Sequence, residues 1–585
     1  MRSGWKLALL GGALTCGALA CGVAASAQTD GIDVSPVTDA MLLDPDPADW
    51  LMWRRTLNAW GYSPLDQIDR TNVDQLRLVW SRGLADGGSQ EGTPLVHDGV
   101  MVFPSPNDVT QAFDAATGDL LWDHRRRWPR DLGDYIPNPD INRNVAIHGR
   151  LIYDLSSDDY LDALDVASGE QVWETQIVDY TAGGSQQSSG PITANGKVFS
   201  SRGCEPAAGP SACVITAHDA ETGEELWRRS TIAAPGEPGD ETWNGVPYEE
   251  RRHVGAWLVP SYDAELNRLY VGTSVTAPAP KFLYGDNDSQ YLYHNSTLAL
   301  DGDTGEIVWY FQHLIDHWDL DHTFERLLVD TAVTPDPDAV RWISPNVTPG
   351  ETRRVVTGIP GKTGLVYTLD RETGEFLWAR ETVHQTVVGD IDLETGRSTV
   401  NPDARFEAMG DTAEVCPSLM GGKNWPAGAY SPLTNMMYYP LQNSCSTVTA
   451  VTDERSVEAF YGISLGASPA DEGVDVGSVH AISAETGETG WLFEQRAPTL
   501  SLVTTGGGLV FGGDGAGRFR AFDQESGEVL WEINLGSPVT GYPVSYAVDG
   551  VQYVAVSTGQ LSRQNSLTPE LRPSATNALF VFALP

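Results

Sequence analysis

Six side chains able to bind a metal or move a proton crowd one short stretch of this sequence: His313, Asp316, His317, Asp319, Asp321 and His322. Carboxylates at that density suit general acid–base work or the binding of a hard cation, and imidazoles beside them would suit Zn²⁺ or Fe²⁺. The spacing is neither H-E-x-x-H nor a facial triad with a distant third ligand, which makes a transition-metal site the weaker reading. Hydrogen bonding within a loop accounts for the histidines without any metal. Cysteine is the second chemical set. Cys204, Cys213, Cys416 and Cys445 remain once Cys16 and Cys21 are assigned to an N-terminal leader, and pairing by proximity gives Cys204–Cys213 and Cys416–Cys445. No C-x-x-C-H occurs, so the chain attaches no c-type haem of its own, and electrons from any redox reaction would pass to another protein.

These groups need a scaffold, and the composition points to strands. The 585 residues carry 60 Gly, 36 Pro and 18 Trp against 8 Met, a balance of short strands and turns rather than helices. A net charge of −42 repels phosphate backbones and anionic lipid, which excludes nucleic acid as an expected partner. Met1 to Lys6 is basic, Leu7 to Ala25 is apolar and small, and Ala25-Ser26-Ala27 offers an A-x-A cleavage site. Residues 1–27 therefore read as a secretory signal peptide, with a mature chain of 28–585 expected in a bacterial periplasm. A lipoprotein cysteine at Cys21 is the alternative, disfavoured by Ala18 three residues before it. No later segment is long and apolar enough to predict a membrane span.

One phrase recurs, roughly A-x-D-x-x-T/S-G-E-x-x-W, in copies ending at Trp122, Trp173, Trp227, Trp309, Trp378, Trp491 and Trp531. An eighth tryptophan, Trp80, closes the N-terminal strand LRLVW, and the chain finishes in an unpartnered apolar strand, Ala578 to Leu584. Each phrase is a hairpin, with Asp and Thr/Ser bonding turn amides, Gly in the left-handed position, and a strand bearing Trp. One such blade cannot bury both faces. Eight tryptophans predict an all-β, eight-bladed propeller with tryptophan docking motifs, one domain over 28–585, closed by pairing the last strand with the first.

Repeated tryptophan blades in an exported chain resemble the quinoprotein alcohol dehydrogenases, which hold pyrroloquinoline quinone and a metal on the propeller axis. The resemblance covers nearly all of the mature chain, from Asp49-Trp50 and Tyr62 to Ile68, through Gly92 to Val100, to Val548 to Val556. The phrases SSGPITANG (Ser188 to Gly196), PGEPGDETW (Pro235 to Trp243), VCPSLMGGKNWP (Val415 to Pro426) and the terminal VFALP are similar to the sorbose and sorbosone dehydrogenase branch, which includes oxidases of bulky secondary alcohols such as deoxynivalenol. The resemblance implies a quinone floor at Trp257, ahead of Ser261-Tyr262-Asp263 and Asn267 to Tyr270. It implies quinone contacts from Glu91, Arg143, Ser188 and Lys362, with Asn424 and Trp425 on the covering loop. It also implies a metal-binding Glu205 and a catalytic Asp319 that is itself a metal ligand. Carboxylates and quinone oxygens suit Ca²⁺. On that model the metal polarises the quinone carbonyl, Asp319 takes the alcohol proton, and hydride passes to the quinone.

The chain departs from the family pattern in three places. The family's vicinal Cys-Cys is absent, since Leu132 to Tyr135 and the residues beyond them hold no Cys before Cys204. The metal-binding Asn falls on Gly272 to Thr276, leaving Thr276, a carbonyl or water as the neutral ligand. Asp321 adds a carboxylate that marks lanthanide sites in some members. The expectation is a periplasmic dehydrogenase that oxidises a primary or secondary alcohol, such as a sugar, polyol or bulky alcohol, and passes electrons to a soluble cytochrome c. The rival is a cofactor-free propeller scaffold of outer-membrane protein assembly, which would have no use for Glu205, Trp257, Asp319 and Lys362 together.

Overall fold

Sheets with four antiparallel strands, which we call A to D from first to last, follow one another along the chain, and two of them carry a fifth, short strand: Tyr62–Ser63 runs parallel beside Thr499–Thr505, and Trp342–Ile343 pairs with Phe376–Glu381. The computed structural model describes residues 32–84, 87–136, 140–182, 184–205, 207–451, 462–464, 471, 473–561 and 564–585. The leader, with Cys16 and Cys21, lies outside them. Asp33–Pro585 is one compact unit.

Blade 1 runs from Leu95–His97 to Leu120–Arg125, blade 2 from Ala146–His148 to Gln171–Gln176, and blade 3 from Ile192–Ala194 to Glu225–Ser230. Blade 4 runs from Ser261–Asp263 to Ile307–Gln312, and blade 5 from Leu327–Val333 to Phe376–Glu381. Blade 6 runs from Ala429–Ser431 to Thr489–Gln495, and blade 7 from Thr499–Thr505 to Val529–Asn534. Blade 8 takes three strands from the C-terminal end and its outer strand, Arg77–Gly83, from the N-terminal end, paired Arg77 to Ala583 and Gly83 to Ala578. The fold is the all-β, eight-bladed propeller that the tryptophans predict.

The repeat phrase locks neighbouring blades. In blade 1, Asp114 Oδ1 accepts the amides of Ala116 and Thr117, and Gly118 then turns the chain at φ +77°. A Cβ on Gly118 would lie 2.6 Å from the indole of Trp80 in blade 8, so the turn gives that ring a flat seat. Trp122 seats on Gly169 in the same way, Trp173 on Gly223, Trp227 on Gly305, Trp309 on Gly374, Trp378 on Gly487 and Trp491 on Gly527. Trp531 has no such turn to meet and packs edge-on against Phe582 of blade 8, with ring centres 5.3 Å apart.

The long stretch between Trp378 and Trp491 holds a hairpin, Val388–Ile391 with Ser398–Val400, and a strand pair, Thr412–Val415 with Ser446–Thr449. Both expected disulfides are present, Cys204–Cys213 and Cys416–Cys445. In an antiparallel blade the A-to-B and C-to-D turns share one end, so the B-to-C and D-to-A connections share the other. The repeat turns are all C-to-D turns. The opposite end is left for loops of any length.

Candidate active site

Every residue singled out for chemistry lies on that opposite end. Glu91, Arg143, Ser188, Trp257, Asp319, Asp321, Asn424 and Trp425 precede an A strand, and Glu205, Thr276 and Lys362 follow a B strand. Antiparallel topology alone thus carries eleven residues spread over more than three hundred positions to one face.

Eight of them form a connected chain of contacts. Arg143 Nη2 pairs with Glu91 Oε2 at 2.6 Å, and both side chains are buried. Burial pushes the Glu91 carboxyl up, against the pull of Arg143. Arg143 Nη1 donates to the Ser188 carbonyl, and its guanidinium lies 5.3 Å from the ring centre of Trp257 and 6.0 Å from that of Trp425. The indole N–H of Trp257 donates to Asp321 Oδ2 at 3.1 Å. Lys362 Nζ then bridges Asp321 Oδ2 at 3.1 Å and Asp319 Oδ1 at 2.6 Å.

The two aspartates are held differently. Burial pushes Asp319 up to about 7, with Lys362 favouring its carboxylate and Asp321 opposing it. Burial acts on Asp321 too, but Lys362 and the Val275 amide, which donates to Oδ1 at 3.0 Å, hold it below the usual carboxylate range. One acid near neutrality beside one that stays ionised is the arrangement a proton acceptor requires.

The residues fit a flat, anionic, polycarboxylated ring: the indoles of Trp257 and Trp425 offer faces for stacking, and the buried Arg143 Nε and Thr93 Oγ1 have no hydrogen-bond partner among the described residues. Ser188 contributes its carbonyl to Arg143. Asn424 serves its own loop, since Nδ2 donates to the Met420 carbonyl at 3.0 Å and Oδ1 accepts the Trp425 amide at 2.8 Å. It shapes the cover that presents Trp425.

The metal set is only partly as expected. Glu205 is 9% exposed, burial pushes its carboxyl up to about 7, and its side chain has no hydrogen-bond or ion-pair partner among the described residues. An orphaned buried carboxylate suits a cation. Thr276, expected as the neutral ligand, is engaged within its own turn, where its hydroxyl accepts from Lys281 Nζ at 2.9 Å and donates to the Pro278 carbonyl at 3.0 Å. A cation there would have to displace an ammonium. Asp321 has both oxygens engaged, and among the described residues no three His, Cys, Asp or Glu side chains converge as a metal-binding group. The three-carboxylate set is therefore not assembled.

Sequence reading missed two participants. His253, buried, interacts with the backbone of Cys204 and Glu205 and feels the charge of Asp321, so it couples the two halves of the site. Lys281, fully buried with its pKa lowered to about 7 by burial, braces the 276–279 turn through Thr276 and the Ala279 carbonyl. A cavity of about 710 Å³ lined by Trp60, Tyr262, Asp263, Arg371 and Tyr430 lies among A-to-B and C-to-D turns and shares no residue with this site.

Comparison with known proteins identifies the family. The family described as PQQ: glucose/ethanol/alcohol dehydrogenase, beta-propeller domain, matches residues 50–404 and 496–554. The dehydrogenase subunit of the quinone alcohol dehydrogenase of Komagataeibacter europaeus is 30% identical over 550 residues, covering 88% of this chain and 72% of that one. The quinoprotein alcohol dehydrogenase PedH of Pseudomonas putida is 33% identical over 531 residues, covering 85% of this chain and 84% of that one. The solved quinohemoprotein alcohol dehydrogenase ADHIIG of Pseudomonas putida superposes with a TM-score of 0.84 at 28% identity, covering 94% of this chain and 83% of that one.

Proposed function

The chain belongs to the PQQ-dependent alcohol dehydrogenase β-propeller family, and from that premise we propose that Asp319 is its catalytic base and that its substrates are sugars, polyols or bulky secondary alcohols. The observation that carries the reading is the Arg143 guanidinium, paired with Glu91 and lying 5.3 and 6.0 Å from the ring centres of Trp257 and Trp425. Trp257 and Trp425 would face the quinone, Arg143 would meet its carboxylates, and Glu91 would fix Arg143. When bound, the quinone supplies a two-electron acceptor for hydride. Asp319, poised near neutrality beside Lys362, would receive the hydroxyl proton, and burial of the surrounding groups keeps bulk water from competing.

Glu205 and Asp319 would hold the metal. Two carboxylates balance a divalent ion, and with Asp321 committed to Trp257, Lys362 and the Val275 amide, Ca²⁺ is favoured over a lanthanide. The substrate class is supported by the phrases at Ser188 to Gly196 and Val415 to Pro426. Passage of electrons to a soluble cytochrome c is supported by the lack of a C-x-x-C-H, and a periplasmic location by the leader-like Met1 to Ala27. No helix among the described residues is long and apolar enough to cross a membrane.

The test is reconstitution of the metal-free protein with quinone and either Ca²⁺ or La³⁺, tracking quinone binding by tryptophan fluorescence and turnover by dye reduction over a panel of sugars, polyols, simple alcohols and a trichothecene. Turnover with Ca²⁺ on a bulky or polyhydroxylated alcohol is expected. Activity confined to simple alcohols would remove the substrate assignment. Turnover with La³⁺ that depends on Asp321, lost in Asp321→Ala, would overturn the calcium assignment.

A further inference from the structure

A second set of unused donors lies away from the carboxylates. Arg54 and Trp53 are 1% and 2% exposed, and among the described residues Arg54 Nε, Arg54 Nη1 and Trp53 Nε1 have no hydrogen-bond partner. Arg54 spends only Nη2, on the carbonyls of Gly428 and Leu502 at 2.7 and 2.5 Å. Both residues are among those lining a cavity of about 10 Å³, room for roughly one water-sized sphere. Most of its remaining wall is apolar, including Met52, Leu57, Ile192 and Val259.

We propose that this cavity binds one small monovalent anion of the halide class. Guanidinium and indole N–H groups donate and never accept, so three orphaned donors call for an acceptor. Water would bring two hydrogens of its own and so would need acceptors as well as donors. The carbonyls of Met52, Thr56 and Leu57 each already accept one hydrogen bond, from the amides of Arg55, Ala59 and Tyr262, and the Thr56 hydroxyl hydrogen goes to Asn58 Oδ1.

Charge selects the same ligand. Glu325 is the carboxylate that acts on Arg54, yet it is held by Lys423 Nζ at 2.8 Å and by the Gly428 amide at 2.8 Å. Lys423 in turn feels Arg54 and Arg326, so three buried cations share one carboxylate. An uncompensated buried charge is costly, and a single anion offsets it. The volume admits a halide but not the tetrahedral oxygens of sulfate or phosphate. Val259 and Pro260 place the cavity two residues beyond Trp257, and Tyr542 touches both Trp53 and Trp425, at ring separations of 5.6 and 5.9 Å. The anion would therefore lie next to the aromatic walls of the active site without belonging to it.

Crystals of the holoenzyme transferred from halide-free gluconate to bromide would test this by anomalous diffraction. A bromide peak within hydrogen-bonding distance of Arg54 and Trp53 is expected. In solution, chloride at constant ionic strength should raise the melting temperature saturably. Trp53→Phe, which removes one N–H donor but keeps an aromatic ring, should weaken that dependence roughly tenfold. A cavity without anomalous signal, or the same chloride dependence in wild type and Trp53→Phe, would overturn the proposal.

Discussion

The two ends of the propeller are built by opposite rules. At the end of the C-to-D turns, one local phrase repeats, and each copy does the same work, with Asp, or Ser483 in blade 6, holding turn amides and Gly seating the tryptophan of the preceding blade. At the other end nothing repeats. Glu91, Arg143, Glu205, Trp257, Asp319, Lys362 and Trp425 are each used once and come from seven separate connections. The repeated end holds the ring closed, which frees the connections at the other end to vary in length and chemistry without loss of the fold. Stability and catalysis should therefore respond separately to substitution.

The sharpest way to break that separation is through Asp319. Asp319→Asn should lower kcat roughly 10²-fold or more while quinone affinity and melting temperature stay close to wild type. Near-normal turnover in the reconstituted variant would move the base elsewhere. The converse substitution is at the repeated end. Gly118→Val puts a branched side chain at φ +77° against the Trp80 ring that joins blade 8 to blade 1, and should cost about 2–4 kcal/mol in denaturant unfolding. Turnover per quinone-titrated site should hardly change. A large loss of kcat would show that the two ends are mechanically coupled.

Glu205 offers a smaller effect and a pH signature. Its carboxyl is raised from 4.5 to about 7 in the folded chain, so its contribution is fully present below about pH 4.5 and lost as pH rises through 7. The metal-free protein should accordingly lose up to about 3 kcal/mol across that window relative to Glu205→Gln. Parallel pH profiles for the two proteins would show that the carboxylate finds a partner in solution. The smallest expected effect concerns the disulfides. Cys416–Cys445 closes 29 residues and Cys204–Cys213 closes 9, which in the loop-entropy description makes the first more stabilising by about 1 kcal/mol. Replacing each pair by alanine and comparing unfolding midpoints measures the difference. Loss of the 204–213 bridge should also perturb the site more, because Cys204 immediately precedes Glu205.

The repeat was legible because a hairpin is local: Asp, Thr and Gly declare the turn within five residues, and each tryptophan declares the packing partner it needs. Blade 8 was legible from what it lacked, an unpaired strand at each end of the chain. Site residues were legible only as types standing before A strands or after B strands. Their contacts were not, since no spacing reveals that the Trp257 indole meets Asp321 or that Lys281, five residues on, takes the hydroxyl of Thr276. His253 gave no signal beyond being a histidine in a loop.

The sequence by itself determined the number of blades, their closure, the cysteine pairs and the roster of groups able to do redox chemistry, because each of these rests on turn geometry, strand patterning or residue identity. Only the tertiary structure decided how that roster is divided. Lys362 bridges Asp319 and Asp321, the Val275 amide and Trp257 commit Asp321, and Glu205 is left buried without a side-chain partner among the described residues. The reason is that desolvation and charge pairing are set by which connections meet at the axis, and those meetings join residues far apart in the chain.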